Sequence, residues 1–453
     1  MFSISATFLG GWFHGTAPGQ GSEWPPHPTR LVQALIASWF NGDTDKSEAE
    51  AIRWVESLEP PTIISPHHAP EEAYDSWVPM NSLPNWAKSS GKRPTMPKLT
   101  STIAGRFVGD DPIVFVWDVD IPDHLAPSMS SLCQRCTRLG TSDSMVMLSS
   151  GSVEDAFVGA WRPSPLGRTV IRTPFAGTLD HTRPDAGPMP GRVAPTHWTR
   201  YSWSQTGRPG RMVTLGLVQG SWPVERTLLL TRRLRQAVMA SAEDAGIPIS
   251  KLIHGHDDFG APLRTRHVSF CALPHVGHRY AHGSVIGVSF VTPTGASDEQ
   301  ASLVSDAIAA WVDAGATLGF SDGTALRFDI PDSRKALEDE TWSQPSRTWV
   351  TAVPMELPRH VVKRQGWNGG TWRRVGVAIK RACAYEGLPV PENIVASKSP
   401  PLVGSPHTRA MCGDFERPLM HVELTFPVAV EGPLILGSSN HFGLGLMVPT
   451  DAS

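Results

Sequence analysis

Six histidines crowd the stretch LIHGHDDFGAPLRTRHVSFCALPHVGHRYAHG, at positions 254, 256, 267, 275, 278 and 282, with Arg264, Arg266 and Arg279 among them. Imidazole titrates near neutral pH, so such a cluster suits general acid–base chemistry. HGHDD also invites a metal reading, since His-x-His followed by Asp recurs in hydrolases. The familiar run is incomplete, because Phe259 stands where its last histidine would be. A second stretch, GPLILGSSNHFGLGLMVP, sets glycines, serines, Asn440 and His441 between two apolar runs. Glycine lets backbone approach a ligand closely, and its N–H groups suit anionic oxygens such as phosphate. No Walker A run is present, and a strand rather than a helix follows the glycines, so a nucleotide-phosphate site is not indicated.

Two basic features accompany these. From Thr371 to Gly387 a helical pattern puts Arg373, Arg374, Lys380 and Arg381 on one face, with Val375, Ile379 and Cys383 or Ala382 opposite. Lys363 and Arg364 extend the patch, and no acid intervenes before Glu386. The face is either a solvated exterior or an electrostatic seat for an RNA backbone. Between Trp161 and Met212, eight arginines alternate with aromatic residues, among them Trp198, Tyr201 and Trp203. That pattern fits a single-stranded RNA surface or an interdomain connector. His27 in PPHPTR precedes a helix, where it is a structural neighbour of the cap or a ligand contact.

The elements that must position these residues follow from periodicity. FSISATF alternates as a strand. In PTRLVQALIASWF, Pro28 suits a first helical turn, and Leu31, Leu35 and Trp39 share a face. From Arg211 the order reads strand, helix, strand, strand, helix, strand. A second, partly degenerate unit of the same kind follows from about residue 336. Two ferredoxin-like halves, about 211–335 and 336–453, are the expected fold of this α+β region.

Composition narrows the partners. The 453 residues imply two to three domains. A net charge of −3 gives no global basic excess, so any nucleic acid must be held by local patches. Five cysteines form no even framework, and Cys133-Gln-Arg-Cys136 lacks the second pair that a zinc site needs. They are expected as free thiols. Neither a leader nor a long apolar run is evident, so a cytoplasmic protein without a membrane partner is expected.

Three segments, RHVSFCALPHVGHRYAHGSVIGVSFVTP, RACAYEGLP and HVELTFPVAVEGPLILGSSNHFGLGLMVP, together with EWPPHPTRLVQALIASW, resemble the Cas-five/Cas-six fusion subunit of type I-G (formerly I-U) CRISPR systems, in the RAMP superfamily. The resemblance implies RAMP-type ferredoxin-like (RRM-like) folds. Residues 1–210 would form a Cas-five-like domain gripping the 5′ handle of a CRISPR RNA, and residues 211–453 a Cas-six-like endoribonuclease domain. Cas-six enzymes cut the repeat without metal or cofactor: the ribose 2′-OH attacks the adjacent phosphate, leaving a cyclic phosphate and a 5′-OH. The resemblance makes His256 the first candidate for general base and His267 the second, with Arg264 and Arg266 stabilising the phosphate. It implies RNA contacts at His27 and Arg30 in HPTRL, and along the basic helix at Lys363, Arg364, Arg373, Arg374, Lys380 and Arg381. It implies further contacts at Gly437, Ser438, Ser439, Asn440, His441, Gly443 and Gly445 of the glycine loop. The implied partners are the repeat-derived handle and hairpin, a Cas-seven-like backbone and a large subunit, with target DNA met only through the complex. Some Cas-six relatives only bind RNA, so a non-catalytic subunit is the alternative, and a metal-dependent hydrolase at HGHDD a further one.

Overall fold

The computed structural model describes residues 1–17, 20–79, 98–153, 159–182, 196–204, 211–257, 260–261, 263, 265–331, 334–357, 361, 369–415 and 417–450. The chain divides into two compact units, Met1–Arg208 and Pro209–Ser453, each of mixed α+β structure built on antiparallel sheets.

In the first unit, Phe2, Ile4, Ala6 and Phe8 alternate into the core, which makes Phe2–Phe8 a half-buried strand. It pairs with Ile113–Trp117 on one side and Val146–Ser152 on the other, and Thr62–Ile64 pairs beyond Ile113–Trp117. In chain order the four strands therefore stand second, third, first, fourth. Helices Pro28–Phe40 and Lys46–Glu56 join the first strand to the second, and Ala126–Arg135 joins the third to the fourth. Pro28 opens its helix where no backbone N–H is required, and Leu31, Leu35 and Trp39 are buried as their spacing demands. Each such side chain contributes roughly 1.5–3 kcal/mol on burial. Ala160–Pro163, His197–Ser204 and Thr169–Thr173 extend the sheet past Thr62–Ile64 to seven strands.

The second unit repeats that order twice. Met212–Gln219, Ser269–Pro274, Val285–Val291 and Ala325–Asp329 again stand second, third, first, fourth, all antiparallel, with Thr317–Gly319 beyond the fourth. Helices Thr227–Asp244 and Asp298–Asp313 fill the two crossovers. The latter starts at a reciprocal cap between Ser297 and Gln300. Ser346–Thr351, Asn393–Ser397, Leu419–Val430 and Met447–Pro449 form the last set in the same order. Gly369–Tyr385 is its first crossover helix, and Val375, Ile379 and Cys383 pack with Trp349, Leu424 and Phe426. In place of a second crossover helix stands the glycine loop, pinned at its neck by a bridge between Ile435 and Leu446.

Candidate functional site

A cleft of about 320 Å³ opens within the second unit between its two strand sets. Arg211, Thr265, Arg266, His267 and Ser269 line it from the first set, and Tyr385, Glu386, Ser438, Asn440 and His441 from the second. Local geometry explains why they meet. Ser250 caps the one-turn helix Lys251–His254, and Gly255 ends it in the left-handed region at φ 67°. The Val268 amide then donates to the Leu252 carbonyl, which fixes His267 at the mouth of the following strand. From the other side the glycine loop approaches main chain to main chain. A Cβ on Gly443 would lie 2.8 Å from the Phe270 carbonyl oxygen, and one on Gly445 only 1.8 Å from that of Leu436.

This approach sets His441 beside His267, with ring centroids 4.8 Å apart. Helix Thr227–Asp244 supports the pair. Thr231 donates to the Phe442 carbonyl at 3.0 Å, and Arg232 lies over the Phe442 ring. Arg235 donates to the carbonyls of Ile253 and His254. Burial depresses the pKa of both imidazoles. His441 falls to about 4, with His267, Arg235 and Arg232 adding to the effect of burial. Both rings are therefore neutral at pH 7 in the free protein. A phosphate seated between them would raise both values.

The opposite wall carries charge. Arg266 faces Glu386 at 3.5 Å, donates to the Thr294 hydroxyl and the Tyr385 carbonyl, and stands over the Tyr385 ring. Asn440 donates to Glu386 at 3.4 Å. Burial raises the Glu386 pKa, against the opposing pull of Arg266 and Arg211. Arg211, half-buried, donates to the Thr292 carbonyl.

The residues proposed from sequence are distributed unevenly. His267, Arg266, Gly437, Ser438, Asn440 and His441 line the cleft. His256 is exposed and not among its lining residues, and its Nδ1 lies 2.6 Å from the His254 carbonyl. Arg264, Lys363 and Arg364 lie outside the described residues. Arg373, Lys380 and Arg381 are exposed on their helix. Arg374 instead turns inward, donating to the Val361 carbonyl and the Thr371 hydroxyl. His27 is buried and Arg30 is bound to buried Glu23 in the first unit.

The loop corrects one expectation. Amides of Ser438, Phe442, Gly443 and Gly445 donate to carbonyls of Glu356, Ser439, Asn440 and Pro354, so these four do not point at an anion. Ser439 donates to the Glu356 carboxylate. Gly443 and Gly445 are buried and serve close backbone packing. In the first unit, Trp161 and Tyr201 of the arginine-aromatic stretch are buried, whereas Trp198 is 59% exposed. Arg183, Arg192 and Arg208 lie outside the described residues. Among the described residues no group of three or more His, Cys, Asp or Glu is arranged to hold a metal ion, and Asp258 of HGHDD is not described. Arg235 and Glu386 escape a sequence reading, because only tertiary contacts bring them to the histidines, whereas Arg211, the last arginine of the arginine-aromatic stretch, lines the cleft of the second unit.

A family model described as CRISPR-associated protein, GSU0054 family, matches residues 11–186 and 201–449. Among solved structures the chain is similar to a CRISPR protein from Archaeoglobus fulgidus, at 16% identity over 36% of this chain and 70% of that one, with a TM-score of 0.19. No curated protein matches. Among the described residues, no helix is long and apolar enough to cross a membrane.

Proposed function

The chain belongs to the CRISPR-associated GSU0054 family, and from that premise we propose that it is a metal-independent endoribonuclease. It cuts precursor CRISPR RNA within its repeats and stays bound to the product as a subunit of a type I effector complex. The observation that carries this reading is the His267–His441 pair at the wall of an arginine-bearing cleft. The strand order second, third, first, fourth is that of a split βαβ ferredoxin-like unit. Its threefold recurrence supports a Cas-five-like region followed by a tandem Cas-six-like one.

In this mechanism neutral His267 takes the proton of a ribose 2′-OH as that oxygen attacks the adjacent phosphorus. Arg266 stabilises the crowded, anionic phosphorane. The 5′-oxygen leaves with a proton from His441, whose protonated form the bound phosphate favours. The products are a 2′,3′-cyclic phosphate and a 5′-OH. Loss of either imidazole should cost roughly 10²- to 10⁴-fold in rate.

The test is incubation of the full-length protein with its cognate repeat RNA in excess EDTA. Cutting at one site, with a cyclic phosphate at the new 3′ end, is the expected result. Tight binding without cutting would leave the second reading, a subunit that holds CRISPR RNA. That reading draws on His441, whose pKa of about 4 is low for an acid at neutral pH. Cutting abolished by EDTA and restored by a metal ion would favour a hydrolase at HGHDD.

A further inference from the structure

The cleft contains one feature that phosphate chemistry does not use. Glu386 brings a carboxylate into a site otherwise lined by Arg211, Arg266 and two histidines. A carboxylate repels an RNA backbone, so its use toward RNA is to accept hydrogen bonds from a base. Charge balance alone is a poor account of it. The buried carboxylates Glu23 and Glu48, by contrast, close on Arg172 and Arg135 at 2.6 Å each. Glu386 instead meets Arg266 at 3.5 Å and Asn440 at 3.4 Å, one loose partner on each oxygen. Each carboxylate oxygen has two lone pairs, so both retain accepting capacity. The side chains of Arg266 and Glu386 are 27% and 19% exposed, within reach of a ligand entering the cleft.

The chemistry of the bases selects one of them. Two parallel N–H donors on one edge match two carboxylate oxygens. Guanine alone offers this, with N1–H beside its N2 amino group. Cytosine and adenine place a ring acceptor next to their amino group, and uracil places its N3–H between two carbonyls. On the same guanine edge, O6 lies beside N1–H and calls for a donor next to the carboxylate. Arg266 is that donor. Bases unstacked from a single strand are read in this way on their Watson–Crick edges. We propose that the cleft holds an unpaired guanine of the bound RNA, its N1–H and N2–H on Glu386 and its O6 facing Arg266. The assignment rests on the RNA-binding reading of the cleft and adds its base specificity.

The test measures binding of fluorescent RNA heptamers to the full-length protein: U3-G-U3, U3-I-U3, U3-A-U3 and U7, where I is inosine. Inosine keeps N1–H and O6 but lacks the N2 amino group. Wild type should bind the guanine heptamer about tenfold tighter than the inosine one, the effect of one hydrogen bond to a charged group. Adenine and all-uridine heptamers should bind more weakly still. Glu386→Gln should bind all four within about threefold of one another, with its affinity for U7 retained. Equal affinity of wild type for guanine and inosine overturns the proposal, and that comparison needs no variant. So does a guanine preference that survives Glu386→Gln. Repeat cleavage in EDTA without guanine preference would sink this inference and leave the nuclease standing. Guanine preference without cleavage would do the reverse.

Discussion

Two clusters built from the same residue types, one in each unit, serve opposite ends. In the first unit Glu23 is fully buried and saturated. Arg30 Nε donates to both its oxygens at 2.8 Å, Arg172 donates at 2.6 Å, and the His27 amide at 2.9 Å. Arg172 Nε also donates to His27 Nδ1 at 3.1 Å. This network joins the start of helix Pro28–Phe40 to strand Thr169–Thr173, with its acceptors occupied. In the second unit Glu386, Arg266, His267 and His441 sit around open volume, and the hydrogen-bond and ion-pair distances of Glu386 are long. Histidine, arginine and glutamate together thus indicate neither structure nor chemistry. Saturation of the carboxylate and access to the cluster decide between them.

The sharpest way to break that contrast is to remove both carboxylates. Glu23→Ala leaves two guanidiniums and an amide without their acceptor, and should cost about 3–5 kcal/mol. Glu386→Gln, in the open cluster, should cost under about 1 kcal/mol. Urea unfolding of the two variants measures both, and equal losses would end the distinction.

Acid titration tests the same idea next. His27 is held at about 3 by burial, then by Arg172 and Arg30, against an ordinary 6.5. His441 is held at about 4. The unfolded chain binds these protons first, so stability is complete above about pH 6.5 and falls as pH drops through 6.5 toward 4 and then 3. Urea midpoints at pH 7, 6 and 5 should decline, and His441→Asn should decline less steeply. A flat profile would contradict the burial of both imidazoles.

A smaller effect concerns the loop. Gly445→Ala places a Cβ 1.8 Å from the Leu436 carbonyl oxygen at a φ of 79°. The left-handed conformation alone costs roughly 1–2 kcal/mol. Thermal melting should show a clear loss, and unchanged melting would mean that the loop is looser than its packing implies. Smallest in stability is Arg373→Ala with Lys380→Ala and Arg381→Ala on the exposed helix face. Stability should stay within about 0.5 kcal/mol. If that face seats RNA, the salt dependence of binding should weaken, by roughly 0.7–0.9 in log–log slope for each phosphate no longer neutralised. An unchanged slope would mark the face as merely solvated.

Much of the scaffold was legible because it rests on local pattern. Pro28 with Leu31, Leu35 and Trp39 announced a helix, as Val375, Ile379 and Cys383 announced the inner face of another. The order of elements after Arg211 was readable for the same reason. The site was legible only in pieces. His267 and His441 stood out by type, but their meeting depends on the packing of Gly443 against Phe270 and Cys271, which no spacing encodes. The glycines suggested amides free for an anion, yet Gly443 and Gly445 direct theirs to carbonyls of their own chain. Arg30 looked available for RNA, and His27 stayed open between cap neighbour and ligand contact, because nothing local shows that Arg172 reaches Glu23 and His27 from a distant strand. Long-range ion pairs leave no periodic trace.

The most direct test of the open cluster is a single-turnover comparison of wild type, His267→Ala and His256→Ala on the cognate repeat RNA in EDTA, with binding measured alongside. Cleavage should fall by about 10²- to 10⁴-fold in His267→Ala while its RNA affinity stays within about threefold, and His256→Ala should cut near the wild-type rate. A His267→Ala protein that cuts as fast as wild type would contradict the account and move the chemistry away from the cleft.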